Sequence, residues 1–183
     1  MKPKIQIKDK EFELYMANRK ILRRVKQLAK QISHDFFGKE PLFLISMNGA
    51  LTFSGELMHY ITIPYKQDSI RVKSYEGTQS TGKITIEAAP KNSLKGHHVI
   101  ITEDIVDTGL TIDYLIKYAK DHGAASVHTV SLLSKKATCI VEKLHLDYVG
   151  FIIPDRFVVG HGFDYDESGR YLHDIYALVG GAR

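Results

Sequence analysis

The sequence lacks several features that would place it in a specialised class of protein. It has one cysteine, Cys139, in 183 residues, which excludes an internal disulfide and favours a reducing compartment. No apolar run approaches the length of a membrane span, and the first residues contain no apolar stretch typical of a signal peptide. Lysines and arginines are scattered without a long basic run, which suits small anionic ligands and argues against a nucleic-acid partner. We expect a soluble, cytoplasmic protein with no membrane contact.

Short apolar runs alternate with segments of helical spacing, and no repeat, low-complexity tract or linker separates them. This alternation predicts an α/β fold in a single domain of residues 1–183. Helices are predicted over residues 11–37, after residue 50 and after residue 110, the last ending at Gly123. The predicted strands cover residues 42–46, 68–74, 84–88, 99–102, 126–133 and 148–153.

Residues 99–112 join a buried strand to the start of a helix and carry three acids, Glu103, Asp104 and Asp107. Because side chains alternate along a strand, Glu103 and Asp104 should point to different sides. An adjacent acid pair can accept hydrogen bonds from two hydroxyls, or hold magnesium through water. The helix start at 108–111 offers backbone N–H groups to a phosphate. The plainer interpretation is a capped helix after a surface turn, with the acids solvated.

Two other segments are candidates for ligand contact. The turn Met47-Asn48-Gly49 follows a predicted strand and precedes a helix, so its N–H groups could also face a phosphate, although a plain connection is the alternative. The polar segment 74–82 is long for a tight hairpin, which predicts either a flap over a site or an idle hairpin tip.

The string Glu-Asp-Ile-Val-Asp-Thr-Gly-Leu-Thr resembles the phosphoribosyl-diphosphate motif of the type I phosphoribosyltransferases. Its residues are most similar to those of the hypoxanthine-guanine branch. The resemblance implies a mostly parallel, twisted sheet flanked by helices, with a small C-terminal hood of about residues 154–183. It also implies an enzyme of purine salvage. Such an enzyme transfers phosphoribosyl from phosphoribosyl diphosphate to a 6-oxopurine, giving IMP from hypoxanthine, or GMP from guanine, and pyrophosphate.

The resemblance also implies a role for each matching residue. Asp107 would be the general base, and Lys135 in Leu-Leu-Ser-Lys would meet the 6-oxo group. Contacts to ribose and its phosphate would come from Glu103, Asp104, Ile105, Val106, Thr108, Gly109, Leu110 and Thr111. Other implied roles are pyrophosphate binding by Met47, Asn48, Gly49 and Arg170; loop closure by Ser74 and Tyr75; purine binding by Phe157, Val158 and Asp164; and Mg²⁺ binding by Glu103, Asp104 and Asp164.

One position departs from the pattern, because Asn48 stands where the family turn Leu-Lys-Gly has a lysine. The turn therefore lacks one cationic group. The resemblance further implies a homo-oligomer, a dimer or a tetramer. Two alternatives are a xanthine-preferring enzyme and an RNA-binding regulator of the same fold, the latter favoured by the basic N-terminal helix.

Overall fold

The computed structural model describes residues 3–74 and 84–181. Thirteen elements follow one another in these residues. In chain order they are β1 (Lys4–Ile7), β2 (Lys10–Met16), α1 (Asn18–Asp35), β3 (Leu42–Met47), α2 (Leu51–His59), β4 (Lys66–Ser74), β5 (Ile84–Ala88), β6 (His98–Val106), α3 (Leu110–Asp121), β7 (Ser126–Ser134), β8 (Tyr148–Ile152), β9 (Val158–Val159) and β10 (Ile175–Leu178).

The main sheet has six strands in the order β5-β4-β3-β6-β7-β8, and all neighbours are parallel except β4 and β5. The central strand β3 is mostly apolar, and its residues Leu42, Phe43 and Leu44 are fully buried. Such strands need cover on both faces. One core joins the buried residues of α1 and α2 to one face, and a second core joins those of α3 to the other. The predicted α/β fold with a mostly parallel sheet is confirmed.

A smaller antiparallel sheet, the hood, has the order β1-β2-β10-β9 and buries Phe12 and Val159 in a third core. The prediction of a helix from residue 11 was wrong, because residues 11–16 belong to β2 and α1 begins at Asn18. Phe12 and Met16 are buried by pairing with β10, a contact that is distant in sequence. The hood sheet therefore draws on both ends of the chain.

Parallel strands bring the ends of β3, β6 and β7 to one edge of the main sheet. Three turns follow there: residues 48–50 after β3, 107–109 after β6 and 135–139 after β7. This edge is where open α/β sheets bind ligands. None of the described helices is long and apolar enough to cross a membrane.

Candidate active site

A small cavity of about 80 Å³ lies between the end of β6 and the start of α3. Its position is that of an anion site, because the first N–H groups of a helix have no partner within the helix. Both carboxylates Glu103 and Asp107 reach it, together with hydroxyls and backbone. The lining residues are Glu103, Ile105, Val106, Asp107, Thr108, Gly109, Thr111 and Ile112.

Gly109 fits this turn for two reasons. It precedes α3 with φ of 85°, a left-handed conformation that glycine adopts without strain. A Cβ on Gly109 would also lie 2.8 Å from Leu144 and 2.9 Å from the Cys139 sulfur. The segment after β7 thus packs directly behind the turn, and the N–H of Ile140 donates to the carbonyl of Thr108 at 3.0 Å.

Glu103 and Asp104 point to different cavities, as the alternation of side chains predicts. Glu103 lines the small cavity, and Asp104 lines a larger one on the hood side. Glu103 is 7% exposed, and its Oε2 atom is buried with no hydrogen-bond partner among the described residues. Burial, and then the charge of Asp104, raises the pKa of Glu103 well above its ordinary value. Burial also raises the pKa of Asp104.

The turn after β3 lies against this acid pair. Its Met47–Asn48 peptide is cis. A Cβ on Gly49 would lie 2.1 Å from an Asp104 oxygen, so only glycine permits this approach. The guanidinium of Arg71 donates to the Asn48 side-chain oxygen at 2.6 Å. Arg71 thus brings a cation to the turn that lacks the family's lysine.

The larger cavity, of about 200 Å³, opens between the sheet edge and the hood. Its wall contains an aromatic ring and several charged groups. Asp107 lines both this cavity and the small one. Phe157 is supported from behind by Phe12 and Tyr165, with ring centres 6.3 and 5.9 Å away. The lining residues are Asp104, Ile105, Asp107, Lys135, Arg156, Phe157, Val158, Phe163 and Asp164.

Asp107 is held from the turn after β7. The Lys135 ammonium donates to its Oδ2 atom at 3.1 Å, and the Thr138 hydroxyl donates to its Oδ1 atom at 2.5 Å. The same ammonium contacts the Asp155 carboxylate at 2.9 Å. Sequence reasoning missed Thr138, Asp155 and Arg71. Pro-Asp before Phe157 was the available signal for Asp155, and nothing in the sequence pointed to Thr138.

Asp164 and Arg170 form one hydrogen-bonded unit at the hood edge. Arg170 contacts Asp164 at 2.7 Å and donates to the carbonyl of Gly162 at 2.8 Å. The N–H of Glu167 donates to the other Asp164 oxygen at 2.7 Å. Asp164 therefore faces the larger cavity already paired with a guanidinium.

The predicted loop residues lie at the boundary of the described part of the chain. Ser74 is the last residue of β4, and Tyr75 lies outside the described residues. Over residues 3–74 and 84–181, no cluster of three or more His, Cys, Asp and Glu side chains could hold a metal by itself.

Comparison with known proteins agrees with this geometry. The phosphoribosyl transferase domain profile matches residues 13–168. A hypoxanthine-guanine phosphoribosyltransferase of Streptococcus pneumoniae is 37% identical over 91% of this chain and 92% of its own. A hypoxanthine-guanine-xanthine phosphoribosyltransferase of Tritrichomonas foetus is 32% identical over 86% of each chain. A hypoxanthine-guanine phosphoribosyltransferase structure from Bacillus anthracis superposes with a TM-score of 0.85 at 32% identity, covering 91% of this chain and 96% of that one. The chain belongs to the hypoxanthine-guanine phosphoribosyltransferase family.

Proposed function

We propose that this enzyme transfers the 5-phosphoribosyl group of phosphoribosyl diphosphate to hypoxanthine or guanine, releasing pyrophosphate and IMP or GMP. The observation that carries the proposal is the pair of adjoining cavities that share Asp107. One has the features of a phosphate cradle, and the other combines an aromatic ring with a buried lysine. A sugar phosphate in the first would place its reacting carbon beside a base in the second.

The ribose phosphate binds at the turn between β6 and α3. The phosphate accepts hydrogen bonds from the Thr108 and Thr111 hydroxyls and from the backbone of residues 108–111, with Gly109 and Leu110 at the helix start. Glu103 and Asp104 accept hydrogen bonds from the ribose hydroxyls. The unpartnered Glu103 oxygen supports this role, because a buried acceptor without a donor is costly.

Magnesium fits the acid side of the site. Glu103, Asp104 and Asp164 would supply carboxylate oxygens, the ligands that Mg²⁺ prefers, either directly or through bound water. When bound, Mg²⁺ neutralises charge on the leaving pyrophosphate.

The purine lies in the larger cavity against Phe157. Stacking of a base on an aromatic ring contributes about 1–3 kcal/mol. Backbone groups of Val158 face the purine edge. The buried Lys135 ammonium donates to the 6-oxo group, whereas the 6-amino group of adenine would present further donors to it. This is the physical basis of the preference for oxopurines.

Asp107 accepts the proton from purine N7 while N9 forms the bond to ribose C1. The electron pair of the broken bond leaves with pyrophosphate, and the reacting sugar passes through an oxocarbenium-like state. Pyrophosphate is held by the backbone of the turn Met47, Asn48 and Gly49 and by the guanidinium of Arg170. By the family resemblance, Ser74 and Tyr75 would help to exclude water from the reacting centre.

A broader base specificity is a second candidate, since the Tritrichomonas foetus relative carries xanthine in its name. Groups near Val158 and Asp164 would decide recognition at the purine 2-position. The proposal also includes a single domain, a homo-oligomeric state (dimer or tetramer) and a cytoplasmic location.

The direct test is a nucleobase panel with purified protein, Mg²⁺ and phosphoribosyl diphosphate. Hypoxanthine, guanine, xanthine, adenine and uracil are each supplied, and nucleotide and pyrophosphate formation are measured. We expect turnover with hypoxanthine and guanine and little with adenine. Activity on uracil alone, or on none of the five bases, would contradict the proposal.

A further inference from the structure

Lys135 is shared between two carboxylates at the wall of the larger cavity. Its side chain is 3% exposed and lies 3.1 Å from Asp107 and 2.9 Å from Asp155. Asp155 precedes the hood and is itself 36% exposed, so it is the more solvated of the two partners. Burying an ammonium group is costly unless it is paired with opposite charge and hydrogen-bonded. Lys135 has both on two sides.

An ammonium group has three N–H donors. Two of them are directed to Asp107 and Asp155, which leaves one for a ligand in the cavity that Lys135 lines. We infer that Asp155 is a positioning residue: it holds Lys135 so that the third N–H meets the 6-oxo group, and it keeps that ammonium from pairing with Asp107 alone. The inference rests on the proposed function and names a residue that the sequence resemblance did not assign a role.

The reaction itself makes the second carboxylate useful. Before proton transfer, Asp107, Lys135 and Asp155 together have a formal net charge of about −1. When Asp107 takes the purine proton, it becomes neutral. Without Asp155, Lys135 would then be a buried cation with no anionic partner in this group. Asp155 remains as its partner through this step. It also divides the attraction of Lys135, so Asp107 stays a stronger base.

Other charged groups line the same cavity and contribute to the electrostatic potential at Asp107, Lys135 and Asp155. They are Asp104, Asp164 and Arg156. Arg156 is turned toward the hood, 3.7 Å from Glu13, and Asp164 is paired with Arg170. Among the described side chains, Lys135 forms ion pairs with Asp107 and Asp155. A change at Asp155 therefore acts first on Lys135.

The test compares Asp155→Asn with the wild type in hypoxanthine kinetics from about pH 5 to pH 9. With Asp155 neutral, Lys135 pairs with Asp107 alone and weakens it as a base. We expect turnover to fall about 10-fold and the acid limb of the rate profile to move about 1 pH unit lower. The KM for hypoxanthine should rise about fivefold, and the KM for phosphoribosyl diphosphate should stay within about twofold.

Two further variants separate positioning from folding. Asp155→Glu keeps the carboxylate and should return the acid limb toward the wild-type position. In a Lys135→Met background, Asp155→Asn should not move the limb, because the ammonium through which it acts is gone. Glu11→Gln is the matched control, since it removes a carboxylate that pairs with Lys4 at 2.9 Å on the hood surface.

Each outcome decides the inference. A drop in turnover with an unmoved acid limb, or an equal effect of Asp155→Asn with and without Lys135, would overturn it. So would wild-type kinetics for Asp155→Asn. The proposed function fails separately, because wild-type protein would then show no oxopurine turnover before any variant is compared.

Discussion

The acid pair Glu103–Asp104 and the nearby Asp107 lie on one short stretch of chain, yet their surroundings are opposite. One Glu103 oxygen is buried without a hydrogen-bond partner among the described residues, and burial raises the pKa of both Glu103 and Asp104. Asp107 instead receives hydrogen bonds from Lys135 and Thr138. The chain supplies partners to both oxygens of Asp107 and leaves one oxygen of Glu103 to be partnered by a ligand.

The difference follows from the tasks proposed for the two sites. A group that binds hydroxyls and a hydrated cation is most useful when its acceptors are unoccupied before the ligand arrives. A general base must be fixed in position before the proton is transferred. The buried Glu103 oxygen without a partner reduces the stability of the free protein, a common cost of binding sites. Substitutions in the two groups should therefore separate catalysis from stability.

The largest effect is expected from Asp107→Asn, which keeps the shape of the side chain and removes the base. Turnover with hypoxanthine should fall about 10²-fold or more, because general acid–base catalysis contributes that much. Binding of phosphoribosyl diphosphate, measured by calorimetry with Mg²⁺, should be nearly unchanged. Asp121→Asn at the exposed end of α3 is the control. Near-normal turnover of the Asp107 variant would remove the base from the mechanism.

Glu103→Gln should show the opposite signature, with a gain in stability and a loss of ligand affinity. Affinity for phosphoribosyl diphosphate should fall about 10-fold, because hydrogen bonds to a charged acceptor contribute about 1.5–3 kcal/mol. At neutral pH the free energy of unfolding should rise by about 1 kcal/mol. That gain corresponds to about 2–4 °C in Tm for a chain of this size.

The pH dependence of that gain fixes its cause. The folded-state pKa of Glu103 is raised, so the folded protein binds the proton more tightly than the unfolded chain. The stabilisation from this group is present below the unfolded value near 4.5 and is lost as pH rises through the folded pKa. The advantage of Glu103→Gln over the wild type should therefore grow from pH 5 to pH 8. A gain that is constant with pH, or one equalled by Glu142→Gln on the surface, would exclude this explanation.

The acid pair was visible in the sequence because its determinants are local. Strand, acids, glycine and helix start follow one another within residues 99–112, and alternation along β6 places Glu103 and Asp104 on different sides. Gly49 in the turn after β3 and Gly123 just beyond the end of α3 were also predicted from their immediate neighbours in sequence. Short-range geometry of this kind needs no knowledge of the tertiary fold.

The partners of Asp107 were not visible, because they come from other strand ends. Lys135 and Thr138 reach Asp107 only after β6 and β7 pair in register, and Asp155 reaches Lys135 only after β7 and β8 pair. Arg71 reaches Asn48 because β3 and β4 align Met47 with Arg71. The strand β2 was missed for the same reason, since its burial depends on β10 at the far end of the chain. Helical spacing within residues 11–37 carries no information about that pairing.

Thr138→Val tests the Asp107 side of the comparison more finely. It removes the hydroxyl that donates to Asp107 at 2.5 Å and keeps the branched shape. Lys135 still holds the other oxygen, so turnover should fall only about fivefold, the equivalent of one hydrogen bond of about 1 kcal/mol. Loss of a donor to the charged form should move the acid limb of the rate profile upward, opposite to Asp155→Asn. A downward shift would show that Thr138 does not stabilise the ionised Asp107.

Arg71→Met tests whether the chain contributes a cation on the acid-pair side, at the turn where Asn48 replaces the family's lysine. Arg71 is exposed and touches Asn48 at 2.6 Å, so its attraction for pyrophosphate is screened by solvent. The KM for phosphoribosyl diphosphate should rise about threefold, the equivalent of about 0.6 kcal/mol, and more steeply at low salt. The KM for hypoxanthine should not change.

Asn48→Lys in the Arg71→Met background should restore the lower KM for phosphoribosyl diphosphate, because the charge returns to the same turn. An unchanged KM in Arg71→Met, with Lys66→Met as the control on the same strand, would assign pyrophosphate binding at this turn to backbone groups alone.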